Sequence, residues 1–299
     1  MKLLYAIHKE NKPAFSNFGD ELNLWIWPAL MPELLDDNDS VVFVGIGTVL
    51  DDSLPTQPTK VVFGAGNGYR PVPVVDDRFR FYCVRGPLTA EALRLPAEMA
   101  ITDPAVLVRT LVTERSQAQK GIVLMGHHTS ATCSDWSFAC DELGFSYVHP
   151  LWPFKRVIDA IRGAELVVTE AMHGAIVADA LRVPWIPVIT SASECRFKWN
   201  DWTRSVGLEY DPIILPALWD GGSPPKTGIA RLRRWVKRRS FLRRLAPARL
   251  WSRAKLSSDS VIGAHTSRLL EKLEKLKHDA AREGWGRKES HCSAAAGLV

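Results

Sequence analysis

The sequence predicts an α/β protein: two Rossmann-like lobes facing a cleft, followed by a basic helical segment. Three observations carry this. Short β-branched apolar runs alternate with helical stretches of about ten residues, the rhythm of βαβ units and a parallel sheet. Glycine-rich turns follow several of those runs, as they do where loops at strand ends approach a ligand. The positive charge is concentrated in one late stretch, which sets that part apart from the body.

In the first half, strands are predicted at Leu3–Ile7, Val41–Val44, Lys60–Phe63 and Phe81–Val84. Helices are predicted from Asp20 to Leu30 and from Leu88 to Leu95. The turns Gly45-Ile46-Gly47-Thr48 and Gly64-Ala65-Gly66-Asn67-Gly68 follow the second and third strands. Neither has the GxGxxG spacing of a dinucleotide site. They read as loops that admit a substrate, with Asn67, Tyr69 and Arg70 placed to touch a sugar; ordinary tight turns are the alternative. Thr102-Asp103-Pro104-Ala105 reads as a hinge, which sets the first lobe at 1–105.

The pattern then restarts over a second lobe, 106–218. Strands are predicted at Gly121–Met125, Tyr147–His149, Glu165–Thr169 and Trp185–Ile189. Helices fill the gaps at Ser134–Leu143, Phe154–Gly163 and Ala171–Leu181. Trp219-Asp220-Gly221-Gly222-Ser223-Pro224-Pro225 is a linker into a helical extension over 219–283, whose last part is a charged helix near Ser260–Glu283. Residues 284–299 read as a disordered tail.

The formal net charge is +5. Between Lys226 and Leu256 there are twelve Lys or Arg and no Asp or Glu, so the rest of the chain is net negative. Tryptophan and leucine interleave with arginine there, which suits an anionic bilayer surface more than nucleic acid; a merely solvated helical pair is the alternative. Leu232, Trp235, Val236 and Leu242 do not fall on one clean helical stripe. No apolar run approaches the roughly 18–20 residues of a membrane span. The N-terminus lacks a small-residue cleavage site and reads as a first strand. The five cysteines are odd in number and none are in CxxC spacing, which argues against a disulfide framework and for a reducing cytoplasm.

The chemistry-bearing residues sit where strands give way to helices. In Thr169-Glu170-Ala171-Met172-His173-Gly174 a helix start offers free N–H groups to an anion, and His173 points into the same site. The alternative is a capping Glu170 and a packed His173. Arg85 emerges at the end of the Phe81–Val84 strand, beside another helix start, where a guanidinium suits phosphate or carboxylate. A structural salt bridge is the alternative for it. Asn17-Phe18-Gly19-Asp20 forms a polar turn into the first helix. His127-His128 follows a strand, but neighbours on an extended chain point to opposite faces, so no metal site is expected.

Together, Asn17-Phe18-Gly19-Asp20, Arg85-Gly86-x-x-Thr89, Thr102-Asp103-Pro104 and Met172-His173-Gly174 followed by Val183-Pro184 resemble the polysaccharide pyruvyl transferase family, and bacterial exopolysaccharide ketal-pyruvate transferases in particular. The resemblance covers most of residues 1–215. It implies a GT-B-like two-lobed fold, phosphoenolpyruvate as co-substrate with no cofactor, and transfer of its enolpyruvyl group onto two hydroxyls of a sugar in a lipid-linked exopolysaccharide repeat. The family often has Arg-Leu-His where this chain reads Ala171-Met172-His173. Another cation must then meet the donor, and Arg196 and Lys198 are the candidates. On this view His173, Glu170 and Asp20 handle protons, while Arg85, Asn17, Gly19, Asn67, Arg70, Arg196 and Lys198 bind substrate. The enzyme would be cytoplasmic, held peripherally at the inner face of the plasma membrane through residues 226–256. A nucleotide-sugar glycosyltransferase of the same architecture and a non-catalytic polysaccharide-assembly factor are the competing readings.

Overall fold

The computed structural model describes residues 1–5, 17–112, 121–133, 136–190, 195–218 and 227–286. The linker at 219–225 and all but the first three residues of the tail lie outside them.

The chain opens with β1 (Lys2–Leu4), α1 (Phe18–Leu30), β2 (Val41–Val44), β3 (Thr59–Phe63) and β4 (Phe79–Cys83). The four strands form one parallel sheet in the order β1-β2-β3-β4. Val41–Val44 is buried along its whole length, as a strand covered on both faces must be. Two short helices follow, α2 (Pro87–Ala92) and α3 (Val108–Leu111). Asn17 caps α1 by accepting from the N–H groups of Gly19 and Asp20 at 3.0 and 3.2 Å, which fixes where that helix begins.

The second half runs β5 (Ile122–Met125), α4 (His128–Cys133), α5 (Ser137–Leu143), β6 (Ser146–Val148), α6 (Phe154–Gly163), β7 (Leu166–Thr169), α7 (Met172–Ala180), β8 (Trp185–Ile189), α8 (Arg196–Ser205) and β9 (Ile213–Ile214). Its strands form a second parallel sheet ordered β6-β5-β7-β8-β9. The chain leaves β5 toward one side for β6, then returns to the other side for β7. The carboxyl ends of β5 and β7 therefore flank a topological switch point, where an open α/β sheet presents its ligand crevice. Two helices, α9 (Gly228–Arg244) and α10 (Asp259–Glu283), complete the fold. The short helix α4 and the helix α8 have no counterpart in the pattern read from sequence.

Two features of the packing differ from the sequence reading. The turn at 102–105 is not built as a hinge. Thr102 and Asp103 are fully buried, and Pro104–Leu107 form a buried 3-10 turn packed against α1, α7 and α10. A hinge needs a segment with few contacts, and this one is core. The charged helix α10 is also more than an extension. Ile262, Leu269, Leu273, Leu276 and Ala280 recur at helical spacing and are buried in the cluster that holds Phe43, Phe63 and Tyr82. Tyr82 donates to Asp279 at 2.9 Å. Each fully buried leucine contributes about 2 kcal/mol, so this stripe anchors α10 to the first sheet. Helix α9 goes elsewhere: Phe241, Leu245 and Leu250 join the core under the second sheet, with Trp136, Leu124 and Val188.

Candidate active site

A cavity of about 440 Å³ opens at the carboxyl ends of both sheets. From the first half it takes Asn17–Asp20, Gly47, Thr48 and Tyr69. From the second it takes Met125, His127–Ser130, Pro150, Glu170–His173 and Lys198. The β5 and β7 ends supply much of the wall, as the switch point requires. The size suits a small ligand or a modest pair of them.

His173 stands at the second position of α7 with its side chain 15 % exposed. A methyl group on Gly19 would lie 2.1 Å from His173 Nδ1. Glycine at that position is thus what lets the imidazole lie against the start of α1. On the other side of the ring, Nε2 lies 3.6 Å from Asp103 Oδ2. Asp103 Oδ1 accepts from the Ala105 N–H at 3.0 Å. Asp103 Oδ2 and His173 Nε2 are buried with no other hydrogen-bond partner among the described residues. A carboxylate oxygen so placed is costly unless a positive neighbour faces it. The imidazole of His173 is the group that faces it, with Nδ1 turned toward the start of α1. Sequence reading quoted Asp103 in a motif but gave it no role; no local signal connects residues seventy positions apart.

Glu170, expected to carry protons, lines the cavity with both carboxylate oxygens engaged. Its Oε1 accepts from Thr190 N and Thr190 Oγ1, both at 2.7 Å. Its Oε2 accepts from His127 N at 3.2 Å and from Ser130 Oγ. Four donors saturate the carboxylate, and they tie the ends of β5, β7 and β8 together. The geometry is that of a clamp within the cavity wall.

Arg85, by contrast, lies behind the wall. It is fully buried and pairs through Nε with Asp201 Oδ2 at 3.1 Å. Nη1 donates to Thr48 Oγ1 at 2.8 Å and Nη2 to Asn67 O at 2.7 Å. A methyl on Gly66 would meet its Cζ at 2.2 Å, so the guanidinium fills the space under that loop. Asp201 also accepts from Thr89 N and Oγ1. The pair therefore bolts α8 to the start of α2, and Arg85 reaches the cavity lining through Thr48. Asn67 turns its side chain to Leu50 O and Arg70 O, and Arg70 pairs with Asp52 at 2.6 Å on an exposed loop. Both shape the loop rather than the cavity lining.

Of the two candidate cations, Lys198 lines the cavity and Arg196 is exposed at the start of α8 outside the lining. Lys198 is 7 % exposed and donates to Tyr69 OH at 2.5 Å. Asp20 faces the cavity from the first turn of α1, and Asn17 Nδ2 donates to its Oδ2 at 2.5 Å. His127 and His128 correct the sequence reading outright. The chain turns into α4 at His128, so the two rings lie 4.1 Å apart and both line the cavity. The missed signal was the helix start hidden in Gly126-His127-His128-Thr129-Ser130. Among the described residues, no group of three or more His, Cys, Asp or Glu is arranged to hold a metal ion. Helix α7 has no side-chain cap at Ala171, so its first N–H groups add positive character beside Lys198 and the three histidines.

Fold and site thus define an α/β protein of two parallel sheets whose strand ends enclose a cavity suited to a small anion. Residues 74–192 match the polysaccharide pyruvyl transferase family model. It is 42% identical over 206 residues to the succinoglycan biosynthesis protein ExoV of Rhizobium meliloti (strain 1021). That match takes in 67% of this chain and 65% of the relative, so the chain spans just under two thirds of its relative's length. The family match contains Asp103, His127, His128, Glu170 and His173; Asn17–Asp20 and Lys198 fall outside it.

Proposed function

We propose that the protein is a ketal pyruvyl transferase of exopolysaccharide biosynthesis. It moves the enolpyruvyl group of phosphoenolpyruvate onto two hydroxyls of a sugar in a lipid-linked repeat. The observation that carries this reading is His173, backed by the buried Asp103 and opening beside Lys198, His127 and His128. The family match over residues 74–192 supports the reaction class. We read the two sheets around one cavity as a GT-B-like arrangement.

The chemistry asks for a proton donor first. The methylene carbon of phosphoenolpyruvate takes a proton, and positive charge develops at the neighbouring carbon. A sugar hydroxyl adds there and loses its proton. The bond from that carbon to the phosphate oxygen breaks, and a second hydroxyl closes the ketal. Of the two hydroxyl protons, one balances the new methyl group and the other leaves on phosphate. In this scheme the protonated imidazole of His173 is the acid, held by Asp103 across the ring. Lys198, His127, His128 and the α7 N-terminus meet the donor's phosphate and carboxylate. Asp20 accepts a hydroxyl proton. Glu170 and Arg85 hold the frame. The donor needs no further cofactor.

On this reading the enzyme is cytoplasmic and peripheral to the inner face of the plasma membrane, where a lipid-linked acceptor is presented. The test is phosphate release from phosphoenolpyruvate by the purified protein with a lipid-linked or soluble oligosaccharide acceptor. His173→Ala is expected to lose about 10²–10⁴-fold in rate. Turnover of a nucleotide sugar with phosphoenolpyruvate untouched rejects the proposal.

A further inference from the structure

Among the described residues, helix α9 is held from one side. Phe241 and Leu245 are buried in the second core cluster, and Arg238 lies over the Phe138 ring at 4.5 Å. Ala230, Arg234, Arg238, Phe241 and Leu245 thus define the inward face. The face opposite carries Ile229, Leu232, Trp235 and Val236, which are 69%, 61%, 56% and 51% exposed. At 3.6 residues per turn these four cover an arc of about 120°. They form one outward stripe, which counting Leu242 among them had hidden in the sequence; Leu242 is half-buried on the core side.

Basic residues border this stripe. Arg231 lies on one flank, and Arg233 and Lys237 on the other. Arg239 and Arg243 continue the outward face toward the end of the helix. Among the described residues, none of these five is ion-paired with a carboxylate. No acidic side chain occurs between Lys226 and Leu256.

We propose that this face docks on an anionic lipid bilayer, with Ile229, Leu232, Trp235 and Val236 at the headgroup–acyl boundary and the flanking arginines on lipid phosphates. This gives the peripheral location its contact surface, and it is tested without reference to the donor or the reaction. Two other occupants fit less well. A second copy of the chain would set arginines against arginines around a narrow apolar stripe. A nucleic-acid backbone would meet the apolar row first, where a phosphate gains nothing. No helix among the described residues is long and apolar enough to cross a membrane, so the contact is superficial.

The experiment is co-sedimentation of the full chain with phosphatidylcholine vesicles, with and without phosphatidylglycerol, over a range of salt. Binding is expected only with the anionic lipid and is expected to weaken as salt rises. Leu232→Ser with Trp235→Ser is expected to weaken it by tenfold or more, and Arg231→Gln with Arg233→Gln, Lys237→Gln and Arg243→Gln by roughly a hundredfold. Because these side chains are exposed, melting temperature is expected to hold. Should a variant unfold, quenching of the wild-type protein's tryptophan emission by brominated lipid, lost in Trp235→Phe, reads the same contact. Absence of binding to anionic vesicles overturns the proposal. So does a concentration-dependent dimer abolished by Trp235→Ser, or duplex DNA that binds this face while vesicles do not compete.

Discussion

Nε2 of His173 lies 3.6 Å from Oδ2 of Asp103, and neither atom has another partner among the described residues. In the proposed reaction His173 is the acid, and the group that faces its ring is a residue in the buried turn between the two halves. Asp103→Asn keeps the shape and the bond to the Ala105 N–H but removes the charge facing the ring. It is expected to lower kcat by about 10²-fold or more while KM for phosphoenolpyruvate changes little. Steady-state kinetics over both substrates separates this from a general loss of folded protein.

Gly19 gives an independent handle on the same ring. A β-carbon there meets Nδ1 at 2.1 Å, so Gly19→Ala must push the imidazole away from its place. Displacement of a catalytic group by about 1 Å costs on the order of 10²-fold in rate. Gly19 precedes Asp20 in the first turn of a capped helix, so the far-ultraviolet circular dichroism is expected to be unchanged.

The buried pair Arg85–Asp201 is a stability element in this account. Arg85→Ala leaves Asp201 charged and buried, and is expected to cost about 3–5 kcal/mol, measured by denaturant unfolding. Arg85→Met combined with Asp201→Leu is expected to recover part of that loss, although the Thr89 and Thr48 hydroxyls then lose partners. A substrate-binding Arg85 would instead show unchanged stability and a raised KM.

Glu170→Gln tests the clamp. An amide has one acceptor oxygen, so two of four donors lose their partner. Destabilisation of about 1–3 kcal/mol is expected. Residual activity at a temperature where the variant is folded distinguishes a clamp from a proton carrier, which would lose its activity even when folded.

Burial lowers the affinity of His149 and His265 for a proton; His265 Nε2 also lies 2.7 Å from Ser205 O. Their folded-state values sit below those of the unfolded chain. The unfolded state then binds protons first as the solution is acidified. The stability tied to these two groups is present above about pH 6.5 and falls as pH drops through their folded-state values. Melting temperature is expected to decline over that window, and His265→Gln is expected to flatten part of the slope.

Much of the architecture was legible in the sequence because strand burial is written locally. Val41–Val44, Leu166–Thr169 and Trp185–Ile189 are short apolar runs whose strands appear where predicted. The start of α7 at Met172 was legible too, since Gly174 and the alanines after it mark a tightly packed helix. What stayed hidden depends on distance in the chain. Arg85 looked like an anion site until Asp201, 116 residues on, was found beneath it. Asp103 looked like a hinge until α10 covered it. His127 and His128 looked divergent because one residue of helix onset decides whether neighbouring rings part or meet. The outward stripe of α9 emerged only once Phe241 showed which face is held.

The most direct test of the account is the reaction run in deuterium oxide with phosphoenolpyruvate and an oligosaccharide acceptor, read by proton and phosphorus resonance. The account requires one inorganic phosphate per ketal and a ketal methyl group carrying a single solvent deuteron, both lost in His173→Ala. Phosphate released with no new methyl signal, or a nucleotide sugar consumed while phosphoenolpyruvate persists, would contradict it.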